Sequence, residues 1–100
     1  MTLEEIIKRI SRLRTKKGLS ARELSLRIDK NEAYINRLEY RKNFEPSISV
    51  INDIVTACDS SMEAFFYYDI ESYKTDQQII ELLKHTTENK KQAIIELLTK

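Results

Sequence analysis

The sequence predicts an all-α protein, five short helices followed by two more in the C-terminal third, and three observations carry that prediction. Among 100 residues there is one Gly and one Pro, while Ala, Leu, Ile, Glu, Lys and Arg abound, a composition that favours helices and offers few tight hairpin turns. Apolar residues recur at spacings of three and four rather than two. Ser, Thr or Asn stands before most of these periodic stretches, where a side-chain oxygen can cap a helix.

Taken in order, Thr2 and Glu5 fit a capping box ahead of Leu3, Ile6, Ile7, Ile10 and Leu13. Gly18 ends this helix, since Gly readily takes the left-handed C-cap conformation and Lys16 and Lys17 complement the dipole. Ser20 and Glu23 form a second capping box, opening a helix whose Leu24 and Ile28 share one face. Asp29, Lys30 and Asn31 break the pattern, and Asn31 is expected to cap a third helix over residues 31–40 with Ile35 and Leu38 inward and Glu39 close to that side. At about 100° per residue, Ala33, Arg37 and Tyr40 lie opposite, flanked by Glu32, Tyr34, Asn36 and Arg41. Pro46 and Ser47 start a fourth helix with Ile48, Ile51, Ile54, Val55 and Cys58 as its inner stripe. Ser60 with Glu63 is expected to cap a fifth, ending in Phe65 and Phe66.

Beyond Tyr68, "YYDIESYKTD" reads as a polar connector. Thr75 and Gln78 can cap a sixth helix holding Ile79, Ile80, Leu82 and Leu83, and a seventh holds Ala93, Ile94, Ile95, Leu97 and Leu98. Each spans only ~10 to 12 residues, too short to be stable alone in water, so their apolar faces require a partner surface from the body or another copy.

Charge divides the chain unevenly. Residues 1–45 hold 12 Lys/Arg against 7 Asp/Glu, while residues 46–100 hold 5 against 9. That asymmetry suits a first part meeting a polyanion, although chance on solvated faces would give the same count. Cys58 cannot form an internal disulfide and His85 has no other imidazole beside it, so no metal site or cofactor is expected. Cys58 falls on an inner stripe as a small buried hydrophobe, and His85 stands near a helix end where its partial charge suits the dipole. No glycine-rich phosphate loop or nucleophile–base pair is present, so an enzyme is not expected. No apolar leader and no run of ~18 apolar residues occurs, which points to a cytoplasmic protein without a membrane partner.

The spacings of "LSARELSLRI", "NEAYINRLE", "EPS" and "SMEAFF" resemble the phage-repressor-like (XRE) helix-turn-helix family from about Leu3 to Phe66. The resemblance implies a DNA-binding domain over residues 1–68 whose third helix enters the major groove while the second crosses the backbone. Residues 69–100 would form a C-terminal helical segment for dimerisation or partner contact. Carried onto matching positions, it implies base contacts by Glu32, Ala33, Asn36 and Arg37. Phosphate contacts would come from Arg22, Asn31, Tyr34, Tyr40, Arg41, Lys42 and Asn43.

Each assignment stands beside a plainer reading. Arg37 carries the rigid donor fork that binds O6 and N7 of guanine together, yet the same side chain can make a surface ion pair. Glu32 can accept from cytosine N4 or simply complement the dipole of a first helical turn. Tyr34 and Tyr40 can bond phosphates, though tyrosines at helix edges usually cover core.

Where the family often has a phosphate-binding Gln, this chain has Ala21. Asp29 replaces a turn Gly, and Tyr40 and Arg41 replace a Gly after the buried Glu39. Leu26 lies about 200° from Leu24 and should point outward, either covered by another segment or as one harmless exposed leucine.

The family implies a sequence-specific regulator, a repressor on an operator in double-stranded DNA, acting as a homodimer because paired half-sites match a two-fold protein. The alternative is a protein-interaction module on the same scaffold, such as an antitoxin or anti-regulator. With no separate ligand domain, no small-molecule ligand is expected.

Overall fold

The structure, a computed structural model, describes residues 1–40 and 44–100. It forms two compact units, Met1–Phe66 and Tyr67–Lys100.

The first unit holds five helices: α1 (Leu3–Lys17), α2 (Ala21–Arg27), α3 (Tyr34–Tyr40), α4 (Ile48–Ala57) and α5 (Met62–Phe65). Their starts follow the capping logic closely. Thr2 Oγ1 accepts from the Glu5 N–H at 3.2 Å, and Ser20 and Glu23 satisfy each other's backbone at 3.0 and 3.2 Å. Ser47 Oγ accepts from the Val50 N–H.

Three helices end alike. At Gly18 (φ 80°), Asp29 (φ 58°) and Asp59 (φ 56°) the chain turns left-handed, and the next amide reaches back to the carbonyl five residues earlier: Leu19 to Arg14, Lys30 to Ser25, Ser60 to Val55. Aspartate tolerates this conformation better than most residues, which explains how Asp29 stands in for Gly.

The structure corrects two sequence-based boundaries and one core assignment in this unit. The Ser60 amide is committed to closing α4, so the N-cap of α5 is Ser61, whose Oγ accepts from the Ala64 N–H. Helix α3 is shorter than the expected 31–40. Asn31 shapes the preceding turn, its Oδ1 accepting from the Ala33 N–H and its carbonyl from the Tyr34 N–H. Regular i to i+4 bonding begins with Arg37 N–H to the Ala33 carbonyl. Ile48 is not on the inner stripe of α4. It is 67% exposed, as the first residue of the helix beside an open cleft lined by Leu3, Ile6 and Pro46, and Val50 is buried instead.

The core of this unit is Ile10, Leu19, Leu24, Ile28, Ile35, Leu38, Val50, Ile51, Ile54, Val55, Cys58 and Phe65. Burial pushes the Cys58 thiol above its usual range. Two basic side chains of α1 fasten the far end: Arg9 Nη1 donates to the Phe65 carbonyl at 2.6 Å, and Lys17 pairs with Asp59.

In the second unit a 3₁₀ turn, Ile70–Ser72, leads into α6 (Tyr73–Leu83), and α7 (Glu88–Leu98) follows. Helix α6 begins before Thr75, so Thr75 and Gln78 lie inside it and cap nothing. The expected connector is ordered by side-chain bonds: Asp69 Oδ1 accepts from the Glu71 N–H, and Asp76 Oδ2 accepts from the Tyr67 and Tyr68 hydroxyls at 2.6 and 3.1 Å. That carboxylate pushes the Tyr67 phenol well above its usual range. Thr87 caps α7, accepting from the Lys90 N–H. Among residues 67–100 none is buried. No described helix is long and apolar enough to cross a membrane.

Candidate nucleic-acid interface

Helices α2 and α3 with the turn between them form a helix-turn-helix pair, and two polar contacts fix α3 within it. Ser25 is fully buried on α2. Its hydroxyl donates to the Ala21 carbonyl at 2.7 Å and accepts from the Ile35 N–H at 3.0 Å, so a side chain of one helix satisfies a first-turn amide of the other. At the opposite end Arg14 of α1 grips Glu39. Its Nε donates to Oε1 at 3.0 Å and its Nη2 to Oε2 at 3.1 Å, while Nη1 donates to the Leu19 carbonyl at 2.9 Å. The two side chains are only 16% and 6% exposed, and such a bidentate fork is rigid as well as strong.

Neither residue was singled out from sequence. The signal was there in both: on the helical wheel Ser25 falls beside Ala21 and Ile28, and Arg14 beside Ile10, so each put a polar group on an inner face that needed a partner.

With Ile35 and Leu38 buried, the outer face of α3 presents Asn36, Arg37 and Tyr40. Tyr40 is 77% exposed. The Arg37 side chain is exposed and makes no hydrogen bond or ion pair to another described residue. Ala33 is half-buried at the start of the helix.

Glu32 and Arg22, expected to meet a base and a phosphate separately, are brought together: Arg22 Nε donates to Glu32 Oε2 at 3.1 Å with both side chains mostly exposed. Tyr34 packs edge-on against Phe44 at 5.2 Å and joins the rim of the core, with Lys30 Nζ 5.5 Å from its ring centroid. This is the covering role common to tyrosines at helix edges. Burial raises its phenol above the usual range. Asn31 is exposed but its Oδ1 is occupied by the Ala33 amide. Ala21 rests on the core and leaves its place on the α2 N-terminus to the exposed Arg22. Arg41, Lys42 and Asn43 lie outside the described residues.

An α-helix with a buried apolar edge, a polar outer face and a second helix braced across it defines the helix-turn-helix class of DNA-binding domain. The chain belongs to the helix-turn-helix family, of the phage-repressor-like type, whose family model matches residues 10–65. It is thereby a DNA-binding regulator of that kind. No curated protein and no solved structure matches it.

Proposed function

We propose that this protein is a sequence-specific transcriptional repressor that occupies an operator in duplex DNA as a homodimer and works in the cytoplasm without enzymatic activity. The observation that carries this reading is the pairing of an exposed Asn36 and Arg37 with an anchored α3. A helix fixed at both ends delivers these side chains to the major groove at little ordering cost. Arg37 would engage O6 and N7 of guanine, and Asn36 the N6 and N7 of adenine. Ala33 would approach a thymine methyl, and Glu32 would reach a cytosine N4 or keep its hold on Arg22. Arg22, Asn31, Tyr34, Tyr40, Arg41, Lys42 and Asn43 would border the phosphates and set register.

Selection of bound sequences from a random duplex library by the full-length protein tests this, followed by titration of the best site against scrambled DNA. The reading expects an enriched inverted repeat. It also expects Arg37→Ala to weaken that site by about 1 to 3 kcal/mol and to relax one base position, whereas Lys42→Ala weakens all DNA alike. Equal losses on cognate and scrambled DNA for Arg37→Ala would reduce that residue to an electrostatic contact.

A second reading rests on the apolar surface of the C-terminal unit, where Leu82, Leu97 and Leu98 are 71%, 69% and 77% exposed. On that reading the scaffold is a protein-interaction module such as an antitoxin. No enrichment, with affinity at the nonspecific level at physiological salt, would favour it.

A further inference from the structure

Helices α6 and α7 are amphipathic in the same way. On α6, Ile79, Ile80, Leu82 and Leu83 share one half of the helical wheel and Lys74, Gln77, Gln78 and Glu81 the other. On α7, Ala93, Ile94, Ile95, Leu97 and Leu98 face away from Glu88, Asn89, Gln92 and Glu96, while Lys90 and Lys91 of its first turn lie on the apolar side. Neither helix contributes a buried residue. Ile79, Leu82, Ile95, Leu97 and Leu98 are each more than half exposed.

An 11-residue helix is marginal in water, and a unit without a core cannot offset the entropy of ordering its chain. The unit therefore takes its stability from a surface that meets these faces. Seven Ile and Leu side chains here are at least 39% exposed, and at about 100 Å² each they offer on the order of 700 Å² of apolar surface. Stable interfaces bury roughly 600 to 1,000 Å² per partner, so a single copy of the same face falls within the range a dimer needs.

We infer that α6 and α7 are the dimerisation element, their aliphatic faces folding against the same two helices of a second copy into a four-helix assembly. This deepens the operator reading above, on which it rests for the need of two copies, and it locates the contact that joins them. The face suits its own kind: its large exposed apolar side chains are all Ile and Leu, which pack against one another without complementary charges. The two lysines on the same side of α7, Lys90 and Lys91, have stems long enough to carry their ammonium groups to the rim, Lys91 to Glu88 at 3.3 Å. The carboxylate within the apolar half of α6, Asp76, is already held by the Tyr67 and Tyr68 hydroxyls. Its charge is therefore met inside the unit.

Sedimentation equilibrium of the full-length chain from ~1 to ~100 µM, with circular dichroism at the same concentrations, tests this. The wild type is expected at twice the 11.8 kDa chain mass, with helix content that rises as dimer forms. Leu82→Glu with Leu97→Glu, both at exposed positions, should weaken association roughly 100-fold or more. The paired control Gln77→Glu with Gln92→Glu, on the polar halves, should leave it unchanged. A wild-type chain that stays monomeric throughout overturns the inference, as does a dimer that survives the double leucine substitution. A dimer lost with those leucines while no duplex is enriched would sink the operator reading alone. A monomer that still enriches one site would sink this inference and the homodimer with it, and leave sequence-specific DNA reading standing.

Discussion

Removing Arg14 should do more damage than removing any other surface-reaching cation of the first unit. In Arg14→Ala the Glu39 carboxylate, 6% exposed, loses two charge-assisted hydrogen bonds, and the Leu19 carbonyl loses a third. An exposed pair would be worth under about 1 kcal/mol. A buried carboxylate stripped of its partner costs about 3 to 5 kcal/mol, much of it the desolvation no longer compensated. Domains of this size have only about 5 to 15 kcal/mol to lose, so the variant should sit near the edge of folding with its melting temperature down by at least ~12 °C.

Urea denaturation followed by circular dichroism at neutral pH reads this directly. The companion variant is Arg14→Met with Glu39→Leu, which replaces the pair by apolar groups of similar size and should recover most or all of the lost stability. Cognate DNA affinity of Arg14→Ala should fall further than its unfolded fraction accounts for, because the C-terminal end of α3 is then unfastened. A loss below about 1 kcal/mol in Arg14→Ala, or a double variant no more stable than the single one, would refute the reasoning.

Three further outcomes follow from the same structure. Ser25→Ala should cost about 1 to 3 kcal/mol in a urea titration, since it leaves the buried Ile35 amide unpaired, and a change under a few tenths would mean that water takes the hydroxyl's place. Gly18→Ala should cost about 1 kcal/mol purely through its left-handed backbone, because no atom lies within 4 Å of the added Cβ; a neutral result would show that the cap relaxes. Lys17 holds the Asp59 carboxyl below its usual range by hydrogen bond and charge, so this contact stabilises fully above about pH 4 and is lost as pH falls through the lower folded value. Asp59→Asn, which keeps a residue tolerant of the left-handed turn, should therefore flatten the melting temperature against pH below that point, and an unchanged acid slope would count against the pairing.

Much of the fold was legible because local rules and tertiary demands agree. The Ser20 and Glu23 box, the Gly18 stop and the inward Ile35 and Leu38 each follow from one turn of helix, and the core did nothing to override them. Where two signals competed for one residue, the sequence was ambiguous. Ser60, three residues ahead of Glu63, is the expected cap, and only the backbone bond that closes α4 passes that role to Ser61. Thr75 resembles a cap until Asp76 is seen gathering two tyrosine hydroxyls and carrying the helix back to Tyr73. At the candidate interface the spacing of α3 pointed outward at Asn36 and Arg37, but spacing within one helix carries no information about contacts across the turn. The Arg22 to Glu32 pair and the braces from Ser25 and Arg14 join residues 10, 10 and 25 positions apart, a separation that no helical period encodes.

The brevity of α3 carries a consequence in information. Seven residues at 1.5 Å apiece span about 10 Å, the rise of roughly three base pairs. A word of three or four letters recurs by chance on the order of once per hundred base pairs, while a genome offers at least ~10⁶ competing positions. One such helix, however well its arginine discriminates, names no unique address. Two copies held at a set separation square the odds, so the spacing between readers becomes part of the message that the protein decodes.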